Sequence, residues 1–413
     1  MQEKLSRIDG LLTKGSIKKA EVLIARVLRS HLTTSEQAEL LLRRARTRLL
    51  SARSEDALDD LSLAHELLGE GFLTPENLEL LGDCCFASFE LASVGFADRS
   101  FLNRAQQTYE EIVRLFPRYG NLGWIHYQLG RVAMANSQIE KAVDGFQQAL
   151  LSPSHISTLT AYCYERLGFI AFYEWRDLDQ ALGFLNRAVD TYPTAENRIW
   201  LVQVHLRRSR VMRQMHNFAA ALKAAETALG LVPGGGSESK HALAETQLTI
   251  AELLSSISGR DREVVNCLQQ FTQNAKTPLG VDVTWSRAHE LLGDAHFNLG
   301  QYDSAVSSYR AALQYNPDHP WELSLLYRIA RSYYHQRSYH ETLDVVQNIL
   351  DVARMDEETI GDYRVYDILG SAQFALGNYE QAARAYRRAL ELAPSSVDTD
   401  RIKTYLGYAS ERI

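Results

Sequence analysis

Proline is scarce in this chain, nine in 413 residues, and most of the nine follow an apolar stretch instead of interrupting one. A residue that fixes φ and lacks an N–H breaks helices, so its scarcity leaves room for long ones. Cysteine is scarcer. Cys84, Cys85, Cys163 and Cys267 show neither C-x-x-C spacing nor a paired framework, which argues against a disulfide scaffold and fits a reducing, cytoplasmic setting. Only the adjacent Cys84 and Cys85 raise a redox question, and a small apolar role in a helix is the simpler reading of each cysteine. No run of eighteen apolar residues occurs, so no transmembrane helix and no membrane role are expected. The opening "MQEKLSRIDGLLTKGSIKKAEVLIARVLRS" mixes charges too often to hold a signal-peptide core. Positive charge is not in surplus either: 44 Lys and Arg against 51 Asp and Glu leave a formal −7. That balance argues against nucleic-acid binding through a broad basic face.

Catalytic signatures are missing as well. H-E-x-x-H, G-x-S-x-G and G-x-G-x-x-G do not occur. The nearest approach is "HELLGDAH", where His289 precedes Glu290 and His296 follows seven positions later. Seven helical residues span about 10.5 Å at 1.5 Å per residue, too far for both rings to ligate one zinc. In "GLVPGGGSESKHAL" a run of Gly234, Gly235 and Gly236 precedes Lys240, but His241 follows where a phosphate loop needs Ser or Thr, and the flanks read as helices. A non-enzymatic chain with no cofactor and no metal is expected.

What is present is helical periodicity throughout, with no convincing strand alternation. Four segments superpose: "HYQLGRVAMANSQIEKAVDGFQQALLSP", "YERLGFIAFYEWRDLDQALGFLNRAVDTYP", "HELLGDAHFNLGQYDSAVSSYRAALQYNP" and "YDILGSAQFALGNYEQAARAYRRALELAP". Each sets a small residue after Leu (Gly130, Gly168, Gly293, Gly370) and an Ala after a turn (Ala142, Ala181, Ala305, Ala382). A second Ala follows (Ala149, Ala188, Ala312, Ala389), then Pro153, Pro193, Pro317 or Pro394. Small residues let two antiparallel helices approach, and the bulky Phe146, Leu185, Tyr309 and Tyr386 fill the remaining space. Proline after the second helix stops its continuation.

This pattern resembles the tetratricopeptide repeat family, whose 34-residue unit is a helix–turn–helix. Weaker copies extend it over essentially the whole chain, giving about ten helix pairs. The unit near 76–117 is an exception, because Gly82 to Ala105 is eleven residues too long. The excess, "SFELASVGFADRSF", is expected either to lengthen both helices or to loop out. "VDTDRIKTYLGYASERI" reads as a capping helix with Asp398 or Thr399 near its start. The resemblance implies an all-α, right-handed α-solenoid with a concave groove, built from an N-terminal array over 1–233 and a C-terminal array with its cap over 282–413. The glycine run and degenerate repeat between them, 234–281, form a possible hinge.

By the same analogy, the groove is lined by positions 2, 5, 9, 12 and 13 of each first helix, counting the small residue as 8. One unit then contributes Trp124, Tyr127 and Arg131, and the next contributes Tyr162, Glu165, Phe169 and Phe172. Arg207, Arg210 and Arg213 share a helix face and form either a basic stripe in the groove or a solvated surface. Later units contribute Arg287, Glu290, Asp294, Phe297 and Asn298, then Tyr327, Arg331 and Tyr334, then Arg364, Asp367 and Phe374. The recurring aromatic at position 12 serves a peptide groove or inter-repeat packing about equally well. Chaperone-binding relatives hold a C-terminal carboxylate with Lys and Asn. Here Glu290, Asp294, Asp367 and Ser371 stand in those places, so that clamp is not expected, and Glu290 with Asp294 would favour a basic partner segment. The resulting expectation is a scaffold or adaptor for a protein or peptide, with a regulatory or sensor subunit on a catalytic partner as the alternative.

Overall fold

The computed structural model describes residues 1–92, 98–152, 156–193, 197–275, 277–278, 280–355, 362–394 and 399–413. Among them there is no strand. Two units divide the chain, Met1–Thr194 and Ala195–Ile413. The glycine run at 234–236 falls inside the second.

The first unit holds five helix pairs: α1 (Gln2–Thr13) with α2 (Ile17–Val27), α3 (Thr34–Leu50) with α4 (Ser54–Leu68), α5 (Pro75–Leu91) with α6 (Arg99–Leu115), α7 (Leu122–Ala135) with α8 (Ile139–Leu151), and α9 (Ser157–Tyr173) with α10 (Leu178–Thr191). The second holds α11 (Arg198–Gln214) with α12 (Phe218–Leu231), α13 (Ser237–Ser255) with α14 (Asp261–Asn274), α15 (Val283–Asn298) with α16 (Tyr302–Tyr315), α17 (Glu322–His335) with α18 (Tyr339–Met355), and α19 (Tyr363–Ala375) with α20 (Tyr379–Leu392). A last helix, α21 (Asp400–Ser410), packs on α20. Within each unit every helix packs on the next, and first helices also meet first helices, as in α11 with α13, α13 with α15 and α17 with α19. An all-α solenoid of helix pairs is the result. Ile402 and Ala409 seal the end of it against Ala382, Tyr386 and Ala389. Thr399 occupies the N-cap of α21, while Asp398, like Pro153, lies outside the described residues.

The small residue at position 8 makes each pair possible. A Cβ on Gly293 would stand 2.5 Å from the ring of Tyr309, and one on Gly370 2.7 Å from that of Tyr386. The turn between paired helices has its own rule. Seven residues after the small one the backbone turns left-handed, at Gly300 (φ 73°) and Gly377 (φ 80°). The same conformation is forced on Ala52, Ser137, His216 and Arg337, with φ between 57° and 64°, where a Cβ is unfavourable.

The over-long unit lengthens both its helices. α5 and α6 each have 17 residues, against 16 and 14 in α15 and α16. Residues 93–97 of the excess lie outside the described set. As a consequence α5 reaches Leu91, nine residues past Gly82, whereas α15 ends at Asn298, five past Gly293.

Candidate interaction face

The first helices of the second unit carry a chain of charges of alternating sign. Arg213 of α11 donates to Glu252 of α13 at 2.7 Å, and Arg287 of α15 lies 3.6 Å from the same carboxylate. Arg287 also donates to Glu290 at 2.6 Å. Arg328 of α17 then bridges Glu290 at 3.1 Å and Asp294 at 3.0 Å. Glu290 is only 7 % exposed. The acidic patch expected at Glu290 and Asp294 is therefore not a free one, because arginines from its own and the next repeat already neutralise it.

Two cavities open along this face. One of about 370 Å³ is bordered by Arg287, Glu290, Asp294, Phe297, Asn298, Arg328 and Arg331. A larger one, about 1090 Å³, is bordered by Arg210, Lys240, His241, Glu252 and Trp285. Arg210 and Arg331 are exposed, and neither has an ion pair among the described residues.

Position 9 is coupled to the second helix. Where that helix supplies a tyrosine, position 9 supplies its acceptor: Tyr109 donates to Asp83 and Tyr309 to Asp294, both at 2.7 Å, and Tyr386 to Ser371 at 3.3 Å. Where it supplies Phe146 or Leu185, position 9 is Arg131 or Phe169. The acid is also met by position 6 of the following repeat, Gln128 for Asp83 (2.9 Å) and Arg328 for Asp294. Position 6 was not among the expected groove positions. Its signal in the sequence is a polar residue, Gln128 or Arg328, in the repeats that follow Asp83 and Asp294. Burial pushes the Asp83 carboxyl up to about 6 against the pull of its two donors, and raises Asp294 as well despite Arg328 and Tyr309.

The aromatics at position 12 pack within their own repeat, and Phe297 and Phe374 also meet His335 and Tyr405 of the following elements. Phe297 meets Tyr302 with centroids 5.4 Å apart, Tyr334 meets Tyr339 at 5.7 Å, and Phe374 meets Tyr379 at 5.4 Å. Their other task is to carry arginines. Arg331 lies 4.5 Å above Phe297, and Arg131 lies 4.5 Å above Phe86. Tyr327 likewise supports Arg364 at 5.4 Å, while Arg364 is held by Asp362 at 2.6 Å. Asp367 is bound by Arg401 of α21. Asn298 is exposed and donates to Asp261 at 2.8 Å.

In the first unit, Trp124, Tyr127 and Tyr162 form a ladder of rings with centroids 5.3 and 6.1 Å apart. Phe169 and Phe172 both rest on Tyr173, at 4.5 and 4.7 Å. Tyr127 is buried. Glu165 is 1 % exposed, with Arg166 at 3.2 Å, so its side chain is packed inside rather than presented to a groove. A third cavity, about 450 Å³, lies where no candidate had been placed, between Arg46, Glu79, Asp83 and Tyr119.

The cysteines are poorly placed for redox chemistry. Cys84, Cys85 and Cys163 are buried, and burial raises all four thiols, Cys85 and Cys267 to about 11. His289 sits in a ring stack with Trp285 and Tyr315, while His296 contacts Gln301 at 2.6 Å. Among the described residues no group of three His, Cys, Asp or Glu is placed to hold a metal, and no helix is long and apolar enough to cross a membrane.

The tetratricopeptide repeat family model matches residues 286–319 and 363–396. These are the α15–α16 and α19–α20 pairs with the segments that follow them. No curated protein sequence matches the chain. Among solved structures, the apo quorum sensor NprR of B. thuringiensis is similar at 14% identity and TM-score 0.52, over 75% of this chain and 86% of that one. A Signal Transduction ATPase with Numerous Domains from Pyrococcus horikoshii, which has a tetratricopeptide repeat sensor, is similar at 13% identity and TM-score 0.57. That match covers 87% of this chain and 53% of the ATPase. At such identities the likeness is one of fold. The chain thus contains tetratricopeptide repeats at 286–319 and 363–396, and the same kind of helix pair recurs through both units.

Proposed function

We propose that this chain is a non-enzymatic interaction scaffold, and that the first-helix face of its second unit takes a peptide or an extended protein segment. The observation that carries this reading is the pair of cavities along α11, α13, α15 and α17, edged by the exposed Arg210 and Arg331. Arginine and aromatic side chains dominate the energetics of such surfaces. A second reading, a sensor or regulatory subunit docked on a catalytic partner, draws on the two sensors of like fold.

Photo-crosslinking separates the two. A photoreactive residue at Arg364, on the first-helix face, is compared with one at Arg384, exposed on α20. Linkage of a short linear segment at position 364 supports the scaffold. Linkage of a folded catalytic subunit at position 384 alone favours the sensor, and a bare position 364 in cells where 384 reacts removes the first reading.

A further inference from the structure

We propose that Arg331 is the docking point for an aspartate or glutamate side chain from a peptide lying along the first-helix face of the second unit. The inference rests on the reading of that face as a peptide site.

The chain contains the same arrangement twice, once complete and once open. In the first unit Arg131, at position 9, lies 4.5 Å above Phe86, the position 12 ring of the preceding repeat, and donates to Glu90 at 2.6 Å. In the second unit Arg331, also at position 9, lies 4.5 Å above Phe297, again the position 12 ring of the preceding repeat. No carboxylate meets it among the described residues. The difference lies in helix length. α5 continues one turn beyond Phe86 and so brings Glu90 alongside the guanidinium, whereas α15 ends at Asn298, immediately after Phe297.

The neighbouring elements offer no substitute. Position 6 of the following repeat, which supplies a partner to Asp83 and to Asp294, is here the apolar, buried Ile368. The acids around the adjoining cavity are already engaged: Glu290 by Arg287 and Arg328, Asp294 by Arg328 and Tyr309, and Asp261 by Asn298. Arg331 is thus an exposed guanidinium, held flat on a ring, at the edge of a cavity of about 370 Å³. A guanidinium fixed by stacking loses little further freedom when a carboxylate binds it. Glu90 shows the ligand class that the same geometry accepts.

The test uses the full chain and a display library of random twelve-residue peptides. Enriched sequences are resynthesised with amidated C termini, and affinities are measured by fluorescence anisotropy. The expected result is enrichment of Asp or Glu at one peptide position, with a tenfold or greater loss when that residue becomes Asn or Gln. Arg331→Ala should cause a loss of the same size, Arg331→Glu should restore binding to a peptide carrying Lys there, and Arg384→Ala should change nothing. If Arg331→Ala lowers thermal stability, Arg331→Gln reads the charge without removing the stem. Peptides that ignore every Arg331 variant but are lost with Tyr334→Ala and Arg364→Ala overturn this inference and leave the groove reading standing. Binding that disappears on amidation overturns the side-chain assignment. If no peptide is enriched, both readings fail together.

Discussion

The hydroxyl of Tyr309 on α16 donates to Asp294 on α15 at 2.7 Å while the same ring covers Gly293, so one side chain closes the helix pair by contact and by hydrogen bond. A methyl at Gly293 would stand 2.5 Å from two ring carbons, and the ring cannot retreat without giving up Asp294. Gly293→Ala should therefore destabilise the second unit by about 1–3 kcal/mol, the usual cost of overpacking. Urea unfolding reads this directly, and an unchanged midpoint would sink the account.

Arg337 bears the opposite burden. It occupies the left-handed turn position with φ 64°, where repeats α15–α16 and α19–α20 have Gly300 and Gly377. Arg337→Gly should relieve that strain, less the extra freedom it gives the unfolded chain, for a net gain of about 0.5–1 kcal/mol. A raised melting temperature is the expected outcome, and a fall in it would contradict the turn rule.

Arg328 is the cation shared by Glu290 and Asp294. Its removal leaves the buried Glu290 with Arg287 alone and Asp294 with only the Tyr309 hydroxyl, and Arg328→Ala should cost about 2–3 kcal/mol. Adding Asp294→Asn should recover part of that loss, since one of the stranded charges is gone. A double-mutant cycle checks the coupling, and strictly additive effects would deny it.

The pH response of the first unit follows from Asp83, whose carboxyl burial has pushed up to about 6. An unfolded aspartate titrates near 4, so between about pH 4 and 6 the folded chain holds a proton that the unfolded chain has lost. Stability contributed by this group therefore falls as pH rises through that window. Asp83→Asn keeps an oxygen for Tyr109 and Gln128 and should flatten the fall, with a gain on the order of 2 kcal/mol at pH 7. Parallel pH profiles of the two proteins would refute the assignment.

His205 sets the reverse slope in the second unit. It is 6 % exposed, contacts Arg208 through Nδ1 at 3.1 Å, and is lowered to about 4 by burial and then by that cation. An unfolded histidine takes up its proton near 6.5. Stability from the neutral ring is thus complete above 6.5 and lost as pH falls from there toward 4. His205→Gln should blunt acid unfolding of α11, read by hydrogen exchange at pH 7 and pH 5, whereas equal acid sensitivity in the variant would dismiss the role.

The helix pairs were legible because their requirements are local. A small residue at Gly293, an Ala at Ala305 and a bulky Tyr309 fall within seventeen residues of one another, and each must be of that type for two helices to touch. The capping helix was readable for the same reason, whereas the excess near 76–117 left longer helices and a looped-out insert both open. The charges of the face were not. Glu290 has a partner three residues away in Arg287, but the cation that meets Asp294 is Arg328, thirty-four residues away in the next repeat, and that register belongs to the stacking of repeats. Positions 2, 5, 9, 12 and 13 leave out position 6, where Gln128 and Arg328 stand. Nor does position counting read burial: it places Glu165 on the groove face, where the residue is 1 % exposed.

Modules of one architecture invite shuffling, since any of them can in principle stack on any other. The sequence of signs from Arg213 through Glu252, Arg287, Glu290 and Arg328 to Asp294 removes that freedom. Transposing the α15–α16 pair with α19–α20 would set Asp367 where Glu290 now stands and the neutral Ser371 where Asp294 does, leaving Arg328 one acid in place of two. The chain of charges is in this sense an address written across the modules: it records which repeat follows which.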